Sequence, residues 1–204
     1  MTDEDKRRAR IDAIRNRDAD RLEASLGRLP KPVARPGLVI LIGLPGSGKS
    51  HFARQLAKRY PAAILDSDAL RGVLFASPQH TEQEHGRLFP AIHVLTRRLL
   101  ERGVPVIQDA TNLKEANRRP LYRLAEETGA RLVLVRLRAP LAIVRWRLEG
   151  RTQGLDPRDR STADLAVLEK MRHDYQRPKR AYFVIDTMKD WGGVLDKIVA
   201  RLQS

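Results

Sequence analysis

The chain alternates between short runs of consecutive apolar residues and longer segments in which apolar residues recur every three or four positions. The first pattern predicts buried strands and the second predicts amphipathic helices. Strands are expected at Leu38–Ile42, Ala62–Leu65, Val104–Gln108, Arg131–Leu137 and Tyr182–Ile185. Helices are expected at 2–26, 49–59, 69–75, 81–102, 115–128, 141–149, 162–175 and 191–202. Strands separated by helices imply a parallel five-stranded sheet covered on both faces, with ligands at the carboxyl ends of the strands.

Local signals refine the ends of these elements. Thr2 can cap the first helix with Asp5 three residues on, and Thr81 with Glu84 resembles a capping box. Gly27 and Gly129 are helix stops, and Pro90 should bend or split the helix that contains it. Ile11, Ile14, Leu22 and Leu26 form a sparse apolar stripe on the first helix, and Pro30, Pro32 and Pro36 stiffen the stretch after it. Residues 1–37 therefore read as a helical arm and linker, and 38–204 as one domain. The arm packs back on the domain, mediates self-association, contacts nucleic acid or has no catalytic consequence.

Between the first predicted strand and the helix from Lys49 lies Gly43-Leu44-Pro45-Gly46-Ser47-Gly48-Lys49-Ser50, a full match to GxxxxGK(S/T) in its required context of strand, loop and helix. Gly43, Gly46 and Gly48 let successive backbone N–H groups approach and face phosphate oxygens. Lys49 reaches the β- and γ-phosphates at a helix N-terminus, and Ser50 offers a hydroxyl to Mg²⁺. The chain is expected to bind a nucleoside triphosphate.

Composition narrows the class. There is no cysteine, which excludes disulfides and thiolate chemistry. No apolar run approaches the roughly 18 residues of a membrane span, and the charged start carries no apolar signal segment, so a soluble cytoplasmic protein is expected. The net charge is +14, and residues 114–180 hold 17 basic against 9 acidic side chains. Such an arginine-rich region suits a polyanion or the phosphates of two substrates, or it is a solvated basic surface. The five histidines, His51, His80, His85, His93 and His173, are too scattered for a metal cluster and read as surface or packing residues.

The strand ends supply the candidate site. Asp66-Ser67-Asp68 follows the second strand with Arg71 three residues beyond Asp68, so Asp68 and Arg71 share a helix face. A carboxylate there can accept the proton of an attacking hydroxyl, and the arginine can hold an anionic group of the acceptor. Asp66 either caps the short helix or shares the chemistry. Asp109 follows the third strand, which in this fold lies beside the phosphate-loop strand, and so should sit near Ser50 and the metal. Ala110 stands where a motor-type ATPase would place a glutamate, and neither a GTPase-type Asn-Lys-x-Asp nor a transporter-type Leu-Ser-Gly-Gly-Gln is present. After the fourth strand, Arg147 and Arg151 are four apart at the base of a segment near 150–160 that can close over the triphosphate as a lid. Arg158 and Arg160 lie farther along it.

The motifs GLPGSGKS, DSDALR, DATNL followed by Arg118 or Arg119, and RLEGR together resemble the P-loop kinases grouped with the phage polynucleotide 5′-hydroxyl kinase domain and the zeta toxins. The resemblance covers roughly residues 38–190. It implies a nucleotide-kinase-like P-loop NTPase fold of three layers, with the N-terminal helix added. It further implies ATP as donor, Lys49 and Ser50 on the phosphates and Mg²⁺, Asp68 as general base, Arg71 on the acceptor's phosphate and Arg151 as the lid arginine. Asp68 is chosen over Asp66 because its spacing to Arg71 matches the polynucleotide kinase pattern. With Thr111-Asn112-Leu113 aligned, Asp109 falls one place before that pattern's acidic residue. The expected activity is transfer of the γ-phosphate to a hydroxyl, foremost a polynucleotide 5′-hydroxyl end. A small-molecule kinase for a metabolite, nucleoside or antibiotic, and a non-enzymatic nucleotide-dependent binding module, are the alternatives.

Overall fold

In the computed structural model, residues 2–152 and 165–204 are described, the last two before the gap by their backbone alone. The elements run α1 Asp3–Ala24, β1 Gly37–Ile42, α2 Lys49–Arg59, β2 Ala63–Asp66, α3 Ser67–Leu74, α4 Glu82–Glu101, β3 Val106–Asp109, α5 Glu115–Thr128, β4 Arg131–Arg138, α6 Leu141–Thr152, α7 Leu165–Met171, β5 Phe183–Asp186 and α8 Gly192–Gln203. The five strands pair in parallel in the order β2-β3-β1-β4-β5. The chain crosses from one side of β1 to the other between β3 and β4, which opens a crevice at its carboxyl end.

Strand β1 is buried along its whole length, and its alternating side chains serve two cores. Leu38, Ile40 and Ile42 pack with Leu88, Leu95 and Leu99 of α4, Leu121 of α5, and Ala19 and Leu22 of α1. Val39 and Leu41 face the opposite way, with Phe52 and Leu56 of α2 and Leu195, Ile198 and Leu202 of α8. The result is a helix, sheet, helix sandwich.

Several expected ends shift. The capping box at Thr2 and Asp5 forms, but α1 closes at Ser25, two residues before Gly27 with its φ of +67°. Ile11 and Ile14 are exposed because the first half of α1 is left uncovered by the other described residues, while Ala19 and Leu22 carry the packing. Helix α4 runs unbroken through Pro90. At its start, Thr81 accepts from the Glu84 N–H at 3.2 Å, but the Glu84 side chain turns away, so the box is half-formed. Helix α7 ends at Met171 rather than 175, and residues 162–164 lie outside the described part.

The proline-rich stretch after α1 is strapped to the body. Val33 N–H donates to the Gly103 carbonyl at 2.8 Å, Arg35 Nε to the Gly129 carbonyl at 3.2 Å, and Arg131 N–H to the Pro36 carbonyl at 2.9 Å. Gly103 has a φ of +76°, and a Cβ there would lie 2.7 Å from the Val33 carbonyl oxygen.

Candidate active site

The phosphate loop joins β1 to α2 at the crevice. Gly48, with φ of +94°, sits directly before α2, and Gly46 has φ of +76°. At Gly43 the constraint is space, since a Cβ would lie 2.6 Å from Ser47 Oγ and 2.7 Å from the Leu137 carbonyl. Gly43 N–H donates to the Thr111 carbonyl at 3.0 Å, so the loop is tied to the segment leaving β3. Pro45 is buried within the turn. Lys49 is 9% exposed and its Nζ donates to the Leu44 carbonyl at 3.0 Å. Ser47 Oγ is buried without a hydrogen-bond partner among the described residues.

Asp66 and Asp109 are register partners at the carboxyl ends of β2 and β3. Asp109 is buried, its carboxyl pushed up to about 6 chiefly by burial, with Lys49 opposing, the charges of Asp66 and Asp68 adding, and a hydrogen bond from Ser50 lowering it. Its Oδ2 has no hydrogen-bond partner among the described residues. A carboxylate oxygen without a partner, next to a serine hydroxyl, is a pair of oxygen donors that fits a hard divalent cation such as Mg²⁺.

Asp66 and Asp68 take different roles. Asp66 accepts from the N–H groups of Asp68 at 2.9 Å and Ala69 at 3.2 Å, capping α3, and its carboxyl is raised, first by burial. Asp68 instead lines a cavity of about 380 Å³ with Ala69, Arg71, Gly72, Val73, Pro78 and His80. Its charge is nonetheless felt by Asp109.

Arg71 also lines that cavity but is 2% exposed, and its Nη1 donates to Glu84 Oε2 at 3.0 Å. Glu84 also accepts from the N–H groups of Gln79 and His80, each at 2.8 Å. These bonds hold the His80 backbone at a φ of +54°. His80, expected at the surface or in packing, is thus a pocket residue, and Glu84 shapes the pocket wall.

On the opposite side, Arg147 Nη1 donates to the Gly46 carbonyl and to Thr187 Oγ1, both at 3.2 Å, bridging the phosphate loop and the turn after β5. Arg151 belongs to α6, but its side chain lies outside the described part, as do Arg158, Arg160 and the loop expected to form the lid.

Arg118 is fully buried. It donates to the Asn112, Leu113 and Gln176 carbonyls at 2.6 to 2.7 Å and to Glu115 Oε2 at 2.7 Å. Asn112, at φ of +45°, sends its Nδ2 to the Leu41 carbonyl at 2.9 Å. Together Arg118 and Asn112 fix the segment that leaves β3, whose Thr111 carbonyl accepts the Gly43 N–H.

Fold and site together define a P-loop nucleotide-binding domain of the kinase type. The chain belongs to the AAA domain family (AAA_33), whose model matches residues 38–178. It is 33% identical over 108 residues to the adenylyl-sulfate kinase of Myxococcus xanthus, covering 51% of this chain and 58% of that protein. It is 27% identical over 172 residues to the L-seryl-tRNA(Sec) kinase of Methanococcus maripaludis, covering 79% of this chain and 64% of that protein. The chain thus spans less than two thirds of either relative. Among solved structures, the APS kinase CysC of Mycobacterium tuberculosis in complex with AMPPNP and APS has a TM-score of 0.64 at 21% identity, covering 85% of this chain and 100% of that one. A chain of the Pnkp1/Rnl/Hen1 RNA repair complex has a TM-score of 0.59 at 23% identity, covering 71% and 45%. These two likenesses concern the fold. No helix among the described residues is long and apolar enough to cross a membrane.

Proposed function

We propose that this chain is an ATP-dependent phosphotransferase that moves the γ-phosphoryl group to an alcohol. The carrying observation is the position of Asp68. It lies beside the capping Asp66, lines a cavity and is within electrostatic reach of the Asp109 that meets Ser50. In this reading the backbone N–H groups of Gly46, Gly48, Lys49 and Ser50 and the Lys49 ammonium hold the triphosphate, and Arg147 and Arg151 close on it from α6. Ser50 and Asp109 would hold Mg²⁺, which when bound neutralises charge on the β- and γ-phosphates. Asp68 accepts the proton of the acceptor hydroxyl as the new O–P bond forms and the bond to ADP breaks.

The acceptor we favour is a small hydroxylated compound. The cavity is within the range of small-ligand sites, and the Arg71 guanidinium in its wall is already paired with Glu84. The relatives include an adenylyl-sulfate kinase, whose name points the same way. A polynucleotide 5′-hydroxyl end is the second reading, favoured by the net charge of +14. ADP release measured with ATP and Mg²⁺ against a panel of polyols, nucleosides, sulfonucleotides and 5′-hydroxyl oligonucleotides tests both. Stimulation by one class identifies the acceptor. ADP release that no acceptor stimulates, with Asp68→Asn equally active, would refute phosphotransfer.

A further inference from the structure

The exposed first half of α1 is not used by the reaction above; after the acidic first turn of Asp3, Glu4 and Asp5 it becomes strongly basic, with Lys6 paired to Asp3 and Arg15 to Asp12. Lys6 to Arg17 carries six basic residues, Lys6, Arg7, Arg8, Arg10, Arg15 and Arg17, against the single acidic Asp12. In a helix these fall within about 18 Å. Every residue of the stretch is exposed, and the side chains of Arg7, Arg8 and Arg10 make no ion pair or hydrogen bond among the described residues.

The second half of α1 fixes this stretch in place. Asp18 is 2% exposed and pairs with Arg87 through two bonds of 2.7 Å. Arg98 holds Asp20 and Asn16, and Arg102 holds Glu23. Asp18 meets Arg87 and Glu23 meets Arg102, so α1 and α4 run in the same sense along their contact. The exposed half therefore extends toward the N-terminal end of α4, where Thr81 and Glu84 adjoin the pocket residue His80. Arg21 reinforces that placement by donating to the carbonyl of Val73, another pocket residue, at 2.7 Å.

Spacing sets which face overhangs. Arg8, Arg15 and Leu22 are seven apart, as are Ile11 and Asp18, so the face that buries Leu22 and Asp18 continues past the body as Arg15, Ile11 and Arg8. We propose that this overhang, Lys6 to Arg17, is a docking surface for the sugar–phosphate backbone of a nucleic acid. Arginine forks match phosphate oxygens, a rigid row of them neutralises several phosphates at once, and the bound strand would lie beside the Asp68 cavity. A lipid surface fits less well, because the apolar side chains beyond alanine on the overhang are Ile11 and Ile14 alone.

The proposal does not depend on phosphotransfer, and its test measures binding rather than turnover. Fluorescence anisotropy of labelled single-stranded RNA and DNA, with the full chain and no ATP, should show binding that weakens as salt rises from about 50 to 200 mM. The triple variant Arg7→Gln, Arg8→Gln, Arg10→Gln should bind about tenfold or more weakly at the lower salt, with the log–log salt slope reduced by about 2. Its circular dichroism, melting temperature and ATP affinity should match those of the unaltered chain. Binding without phosphorylation of the oligonucleotide upholds the surface and removes the polynucleotide acceptor. Absence of oligonucleotide binding at the lower salt, unchanged affinity and slope in the variant, or binding to anionic vesicles but not to oligonucleotides would overturn it.

Discussion

Asp66 accepts the backbone N–H of Asp68 at 2.9 Å, so the first of two carboxylates in one short motif positions the second. Asp66 satisfies the start of α3, and Asp68 is left to line the cavity. Replacing the cap should cost stability before it costs chemistry. Asp66→Ala is expected to lose about 1 kcal/mol, or a few degrees of Tm, and Asp66→Asn to lose less. Thermal melts of both variants check this.

Asp68→Asn should lower phosphoryl transfer by a factor of about 10² to 10⁴ while ATP affinity stays within about twofold. Lys49→Ala should lose transfer and weaken ATP binding together. Calorimetric titration with ATP, run beside the ADP-release assay, separates the two outcomes. An Asp68→Asn chain that retains full turnover would exclude this carboxylate as the base.

Arg118 should be among the residues least tolerant of change. Arg118→Met removes donors from the buried carbonyls of Asn112 and Leu113, from the Gln176 carbonyl and from Glu115, and is expected to destabilise the fold by about 3 kcal/mol or more. Urea denaturation gives the figure directly. A loss under about 1 kcal/mol would mean that these carbonyls find other donors.

His93 gives the fold a pH dependence of known sign. Burial first, and then Arg123, push its imidazole down from 6.5 to about 4. The folded chain therefore takes up the proton less readily than the unfolded one. Stability from this group is complete above pH 6.5 and falls as the pH drops from there toward 4. His93→Gln should remove about 1 to 2 kcal/mol of that loss, a discount from the full shift because the residue keeps some contact with solvent. Melts at pH 7.5, 6 and 5 for both chains test it, and parallel slopes would contradict it.

Much of this fold could be read from local pattern. Strand β1, the phosphate loop and Gly129 at the end of α5 announce themselves through apolar runs, glycine spacing and a left-handed cap. The pocket wall could not be read in that way. Glu84 sits in a sequence that mimics a capping box, and its role comes from Arg71, 13 residues away, and from the Gln79 and His80 amides. Arg118 was visible only as a basic residue after DATNL, because its Gln176 partner is 58 positions distant. Ile11 and Ile14 suggested a packed stripe, but no periodicity says where a neighbouring surface ends.

The strapped linker also determines how the first helix moves. With Val33, Arg35 and Pro36 each bonded to the body, and Asp18, Asp20, Arg21 and Glu23 bonded to it from α1, the helix is held at both its packed half and the stretch that follows. Because the chain lacks cysteine, Ala9→Cys provides a single point for a fluorophore. Such a dye should report the slow tumbling of the entire molecule, and two copies in solution should not exchange their first helices.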